Sequence, residues 1–170
     1  MNRKPTSELP THIMNHAIRM KATDGACRVI YHAHPNNIIA MTFVEPLDAR
    51  TFWRALWKAM TECVVVFPEG VGVVPWMVPG GNEIAKATSE QMKSYPAVIW
   101  AQHGLFVSGA DFDETFGLMH CIEKAADIYF RARTMNGGSN EFLNTITDEG
   151  LAQIGVEFNV EINKEFLDVQ

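Results

Sequence analysis

Apolar positions along the 170-residue chain recur at two spacings, near 3.6 and near 2, so helices and strands are expected in turn. Ile13, Met14, Ala17 and Ile18 form one apolar helical face, capped by Thr6 or Ser7 with Pro10 in the first turn. RVIYHAH (28–34) reads as a strand, and NNIIAMTFV (36–44) starts as a short helix. DARTFWRALWKAMT (48–61) sets Phe52, Leu56 and Met60 in helical register behind an Asp48 cap. CVVVF (63–67) is a continuous apolar run and is expected as a buried strand. The four glycines and two prolines of EGVGVVPWMVPGGN (69–82) predict a loop with one short strand inside it. A helix is expected over 82–94, then two short strands, AVIWAQ (97–102) and LFVSG (105–109), joined at His103-Gly104. That tight join predicts an antiparallel pair. The longest helix is expected over 111–135, apolar at Phe116, Met119, Ile122, Ala126 and Phe130, and MNGGSN (135–140) ends it. ITDEGLAQIGVEFNV (146–160) reads as a last helix. The alternation predicts α/β layers on one sheet that is not purely parallel. The chain is expected as one domain, 1–170, with a core at 5–135 and a C-terminal appendage at 140–170.

Composition narrows the partners. A net charge of −6 with scattered lysines and arginines argues against nucleic acid as the main partner and implies no anionic membrane surface, since both need a basic patch. No apolar run reaches the ~18–20 residues of a membrane span, and MNRKPTSELP has no signal-peptide apolar region. A cytoplasmic protein is expected. Cys27, Cys63 and Cys121 are odd in number, widely spaced and without a C-x-x-C pair, which predicts reduced, buried thiols. Trp53, Trp57, Trp76 and Trp100 read as core and interface aromatics.

The candidate chemistry sits in VIYHAHPNN (29–37). Residues i and i+2 of a strand face the same side, so His32 and His34 project together, about 6–7 Å apart at Cα. Two imidazoles on one face suit a metal that wants three or four ligands, but two surface histidines at a strand end would look the same. His103, at the end of another strand and beside a glycine that permits close backbone approach, is the candidate third ligand; by itself it reads equally as a turn residue. Three histidines with open positions describe a catalytic site better than a structural one. His12, His16 and His120 lie in helical patterns and are weaker candidates. An acid/base partner could be Glu8, Glu62, Glu69 or Asp24, and Glu8 also reads simply as a first-turn carboxylate at a helix dipole.

These residues, in PTSELPTH (5–12), RVIYHAHPNNIIAMTF (28–43), TECVVVFPEGVGVVPWMVPG (61–80) and IWAQHGLFVSG (99–109) with DETFGLMHCIEKAA (113–126), resemble the class II aldolase family over nearly the whole chain. The 61–80 segment is most similar to the family member that acts on L-rhamnulose 1-phosphate. The resemblance implies a three-layer α/β/α sandwich with a central, largely antiparallel or mixed sheet. It implies Zn²⁺, one per subunit, on His32, His34 and His103, and aldol cleavage to dihydroxyacetone phosphate and L-lactaldehyde. Glu8 would be the carboxylate that touches the metal at rest and then acts as general base, Ser7 a contact to the substrate phosphate, and Glu62 an acid reaching a neighbouring subunit's site in a homotetramer. Family members also carry Gly/Asn/Ser-rich phosphate-cradling loops in a preceding segment, and none stands before Thr6 here. The chain is therefore expected to be a fragment, an engineered truncation or a shortened homologue, with an exposed strand edge that invites oligomerisation. Two alternatives stay open: another aldolase or epimerase acting on a different sugar phosphate, and a non-catalytic zinc-binding assembly module on the same fold.

Overall fold

The computed structural model describes residues 4–169. In chain order the elements are α1 (Leu9–Ala22), β1 (Val29–Ala33), α2 (Asn36–Met41), α3 (Ala49–Ala59), α4 (Glu62–Val66), β2 (Gly72–Val74), α5 (Asn82–Gln91), β3 (Ala97–Trp100), β4 (Gly104–Gly109), α6 (Phe112–Met135) and α7 (Asp148–Glu157). The four strands lie in the order β1-β4-β3-β2, antiparallel at β1/β4 and β3/β4 and parallel at β2/β3. The sheet is thus mixed, as expected.

Alternation along β3 and β4 sends side chains to two cores. Ala97, Ile99, Leu105 and Val107 join the larger cluster with α2, α3, α4, α6 and α7. Val98, Trp100 and Phe106 join Ile30, Val74, Ile84 and Met92 on the α5 side, with Ile18 of α1 packed against them. Helices therefore cover both faces of the sheet, which makes three layers. Each fully buried Leu, Val or Phe contributes about 1.5–3 kcal/mol, so the sheet interior is the stiffest place from which to hold a site.

Four expectations are corrected. CVVVF is a helix, α4, and its burial shows why: Cys63, Val64 and Phe67 are fully buried while Val66 is 43% exposed, a helical pattern that a two-faced buried strand would not show. Among the described residues no strand pairs with it, and packing on α6 overrides β propensity. In α1 the fully buried residues are Thr11, Asn15 and Arg19; of the expected apolar face Ile18 is partly buried on the core while Ile13 is 60% exposed. The seam between α1 and α5 is polar: Ser89 Oγ donates to Asn15 Oδ1 at 3.0 Å, and Arg19 Nη1 donates to the Met92 carbonyl at 3.1 Å. Neither Thr6 nor Ser7 caps α1; Glu8 occupies the cap position, with no side-chain capping bond. On α6, Met119, Ile122 and Ala126 are buried as expected, but Phe116 is exposed. Trp53, Trp57 and Trp100 are buried and Trp76 is exposed, and all three cysteines are buried free thiols.

Asp48 caps α3 as expected, accepting from the Thr51 N–H at 2.8 Å. Behind α3 the chain end packs on the larger core through Leu151, Ile162 and Leu167. It is tied there by Asp148, which accepts from Arg54 (2.6 Å), Lys58 (2.5 Å) and the Asp168 N–H (2.7 Å). Burial alone would raise the Asp148 carboxyl, but the Arg54 and Lys58 bonds outweigh it and hold it well below the usual carboxylate range. The folded chain thus keeps a charge that the unfolded chain loses near pH 4, so this stabilisation is complete above about pH 4 and is lost as pH falls below it. Asp148→Ala should cost about 3 kcal/mol by leaving two cations partly buried without their partner. Urea unfolding of the two proteins at pH 7 and at pH 3 checks both statements: the gap should be full at pH 7 and smaller by about 1 kcal/mol at pH 3, where the loss has begun but the folded carboxylate is still ionised.

Candidate metal centre

β1 ends at Ala33, and the β1/β4 register sets His32 opposite Phe106. His34 follows directly outside the strand, before Pro35 turns the chain into α2. His103 stands in the β3–β4 turn. The turn delivers it back over the end of β1: His103 Nε2 lies 3.3 Å from His32 Nε2 and 3.2 Å from His34 Nε2. The ligand atoms of the three residues all lie within 4.8 Å of one another, so the sequence-predicted triad converges.

Close approach of β4 to β1 makes this possible, and Gly104 permits it. A Cβ at Gly104 would sit 2.4 Å from the Ala33 carbonyl oxygen and about 3.1–3.2 Å from the His34 and His32 rings. Any side chain there would push the two strand ends apart.

His32 is held most firmly. Its ring stacks on Phe106 (centroids 4.1 Å, 13°) with Trp100 beside it at 5.5 Å. Its Nδ1–H donates to the Leu105 carbonyl at 3.1 Å, which assigns the tautomer and leaves the Nε2 lone pair facing the other two rings. Phe106 and Trp100 shape the site but were not singled out in the sequence, where they are indistinguishable from other core aromatics. Burial pushes His32 down to about 4, and the imidazoles of His34 and His103 add to this against the pull of the Leu105 carbonyl and Glu8. Burial also lowers His103. Neutral imidazoles are the ligating form.

Glu8 is adjacent to this cluster, close enough to act on the charge of His12, His32 and His103, though its carboxylate is not one of the converging ligand atoms. Thr6 Oγ1 (2.6 Å) and Ser7 Oγ (2.8 Å) both donate to its Oε2. The Thr6 bond chiefly, helped by Ser7 and opposed by burial, lowers its carboxyl below the ordinary range, so Glu8 is ionised. Gly80, at φ +81°, packs its backbone against Ser7 and brings the loop after β2 to the same corner. Glu62 is elsewhere: it opens α4 on the far layer, exposed, beside Cys63 and Cys121. Glu69 and Asp24 are likewise exposed and not part of the cluster.

The donor set fits a divalent metal. Two ligands at ~2.0–2.1 Å from one tetrahedral ion stand about 3.3–3.4 Å apart, close to the two nitrogen pairs here. Without a cation, a neutral His32 aims a lone pair at two further imidazoles, an arrangement that a shared positive charge relieves. One consequence is testable on the metal-free protein. The unfolded chain protonates His32 near pH 6.5 and the folded chain only near 4, so stability is lost as pH falls across that window. His32→Gln should flatten the fall of Tm between pH 6.5 and 4; an unchanged slope would contradict the assignment.

Among the described residues no helix is long and apolar enough to cross a membrane. The family profile of the Class II Aldolase and Adducin N-terminal domain matches residues 1–130. The chain is 46% identical over 164 residues to the rhamnulose-1-phosphate aldolase of Listeria innocua, covering 96% of this chain and 58% of that protein. It is 47% identical over 165 residues to the rhamnulose-1-phosphate aldolase of Klebsiella pneumoniae, covering 97% of this chain and 58% of that protein. The chain thus spans under two thirds of the length of these relatives. The crystal structure of a sugar-phosphate aldolase from Thermotoga maritima superposes with a TM-score of 0.70 at 34% identity, covering 82% of this chain and 58% of that one.

Proposed function

Because the chain belongs to the class II aldolase and adducin N-terminal domain family, we propose that it carries the metal-binding catalytic part of a lyase that cleaves L-rhamnulose 1-phosphate to dihydroxyacetone phosphate and L-lactaldehyde. The observation that carries the reading is the convergence of His32, His34 and His103 nitrogens on one point with the ionised Glu8 carboxylate beside it. The substrate follows the relatives named rhamnulose-1-phosphate aldolase at 46–47% identity. The metal is Zn²⁺, one per subunit, held by the three imidazoles.

Breaking the carbon–carbon bond leaves an enediolate, and a divalent cation held by His32, His34 and His103 would supply Lewis-acid stabilisation to that charge. The chain's own groups do the rest. His32, fixed by Leu105 and Phe106, aims an unprotonated Nε2 into the site. Thr6 and Ser7 anchor Glu8 through Oε2, so Oε1 is the atom that takes a proton from carbon-bound hydrogen of dihydroxyacetone phosphate in the synthetic direction and returns it in cleavage. Ser7, at the same corner, is positioned to turn its hydroxyl to the substrate phosphate. Glu62, exposed on the opposite layer, serves the site of a neighbouring copy in a homotetramer and protonates the aldehyde oxygen. The setting is cytoplasmic sugar catabolism, and residues 1–170 act as one catalytic unit.

Assay of the chain against a panel of ketose 1-phosphates tests the substrate. L-Rhamnulose 1-phosphate should give the highest kcat/KM. Preference for a different ketose phosphate would reassign the substrate, and metal binding without turnover of any would favour an assembly role.

A further inference from the structure

Two of the three histidines flank a short helix, and both ends of that helix are clamped. α2 begins two residues after His34, at Asn36, behind Pro35 at the cap position, whose side chain has no capping acceptor. Glu123 of α6 fills the role: its Oε1 accepts from the Asn37 N–H (2.9 Å) and the Asn37 side-chain amide (2.8 Å), and its Oε2 accepts from the Ile38 N–H (3.0 Å). At the other end stands Thr42, 3% exposed. Its hydroxyl donates to the Ile39 carbonyl at 2.6 Å and accepts the Gln102 backbone N–H at 2.9 Å, and its carbonyl accepts from the Gln102 side chain at 2.8 Å.

Gln102 immediately precedes His103 and has φ +55°, a left-handed conformation that a non-glycine residue adopts only when its surroundings hold it there. The connection therefore runs without a gap from α6 through Glu123 to α2, from Thr42 to Gln102, and so to His103. Resting on the metal-site reading above, we infer that Glu123 and Thr42 are positioning residues for the metal: α2 is a strut that sets the His34–His103 spacing. Ligand nitrogens must sit within a few tenths of an ångström of their place, and residues that orient ligands are worth about 10–100-fold in metal affinity.

Co²⁺ substitution tests this in the 170-residue chain, because its visible absorption reports ligand geometry directly. Thr42→Val keeps the shape but strands the Gln102 N–H; Glu123→Ala removes both acceptor oxygens. Each should weaken Co²⁺ binding about 10–100-fold and alter the absorption spectrum, and Thr42→Ser should restore both. Leu151→Ala, a core truncation on α7, controls for simple loss of stability: it should lower Tm and leave the spectrum unchanged. Folding of each variant is checked by circular dichroism, and Glu123→Ala carries the test should Thr42→Val not fold. Parental spectra and affinities in the folded variants would overturn the strut alone. Failure of the parent chain to bind Co²⁺, or binding that survives His34→Ala unchanged, would overturn the metal site and the strut with it.

Discussion

His103→Ala should strip the protein of its metal while leaving the fold intact. Zinc sites with three or four protein ligands bind with ~10–16 kcal/mol, so each ligand accounts for about 3 kcal/mol or more. At 1.4 kcal/mol per tenfold, losing one lowers affinity ~10²–10³-fold. The fold should tolerate the change because His103 is only half buried in a turn whose backbone is held by neighbours, with its N–H donating to the Trp100 carbonyl at 3.2 Å. Equilibrium dialysis against Zn²⁺ with elemental analysis measures the effect. One equivalent per chain in the parent and far less in the variant is the expected pair of values. Retained binding in His103→Ala would mean that the ion sits elsewhere.

Glu8→Gln should separate metal binding from chemistry. The amide is nearly isosteric, and the triad nitrogens are contributed by other elements, so metal content should stay at the parental level. What disappears is the proton acceptor. General-base catalysis by a placed carboxylate contributes about 10²–10⁴-fold, so exchange of the dihydroxyacetone phosphate C3 hydrogen with deuterated water should fall by that factor. The Thr6 and Ser7 hydroxyls that grip Glu8 Oε2 make this a strict test, because they fix where the group stands. NMR of the substrate in deuterated water reads the rate, and exchange at the parental rate would remove Glu8 from its role.

The site was largely legible in the sequence because it is built from strand geometry, which has an exact period. Same-side projection put His32 with His34, and the His103-Gly104 pair marked the turn that returns the chain to them. That Gly104 is dictated by contact with the Ala33 carbonyl and two imidazoles needed coordinates. The braces around the triad were not legible for the same reason. Glu123 meets Asn37 across 86 residues, and Thr42 meets Gln102 across 60, with nothing local to suggest either. The fold failed to read where burial departs from local apolarity. Val64-Val65-Val66 has the composition of a strand, but α6 offers it a helix-packing surface and no ladder. In α1 burial does not follow apolarity: Ile13 faces outward, while Asn15 Oδ1 and Arg19 Nη1 find partners on and just beyond α5, although Asn15 Nδ2, Arg19 Nε and Thr11 Oγ1 are buried with no protein partner among the described residues.

The decisive measurement is turnover of L-rhamnulose 1-phosphate before and after one equivalent of Zn²⁺ is added to chelator-stripped protein. The stripped chain should not cleave the substrate, and cleavage should recover and saturate at one Zn²⁺ per chain; full cleavage by the metal-free protein would mean that the three imidazoles hold no catalytic metal.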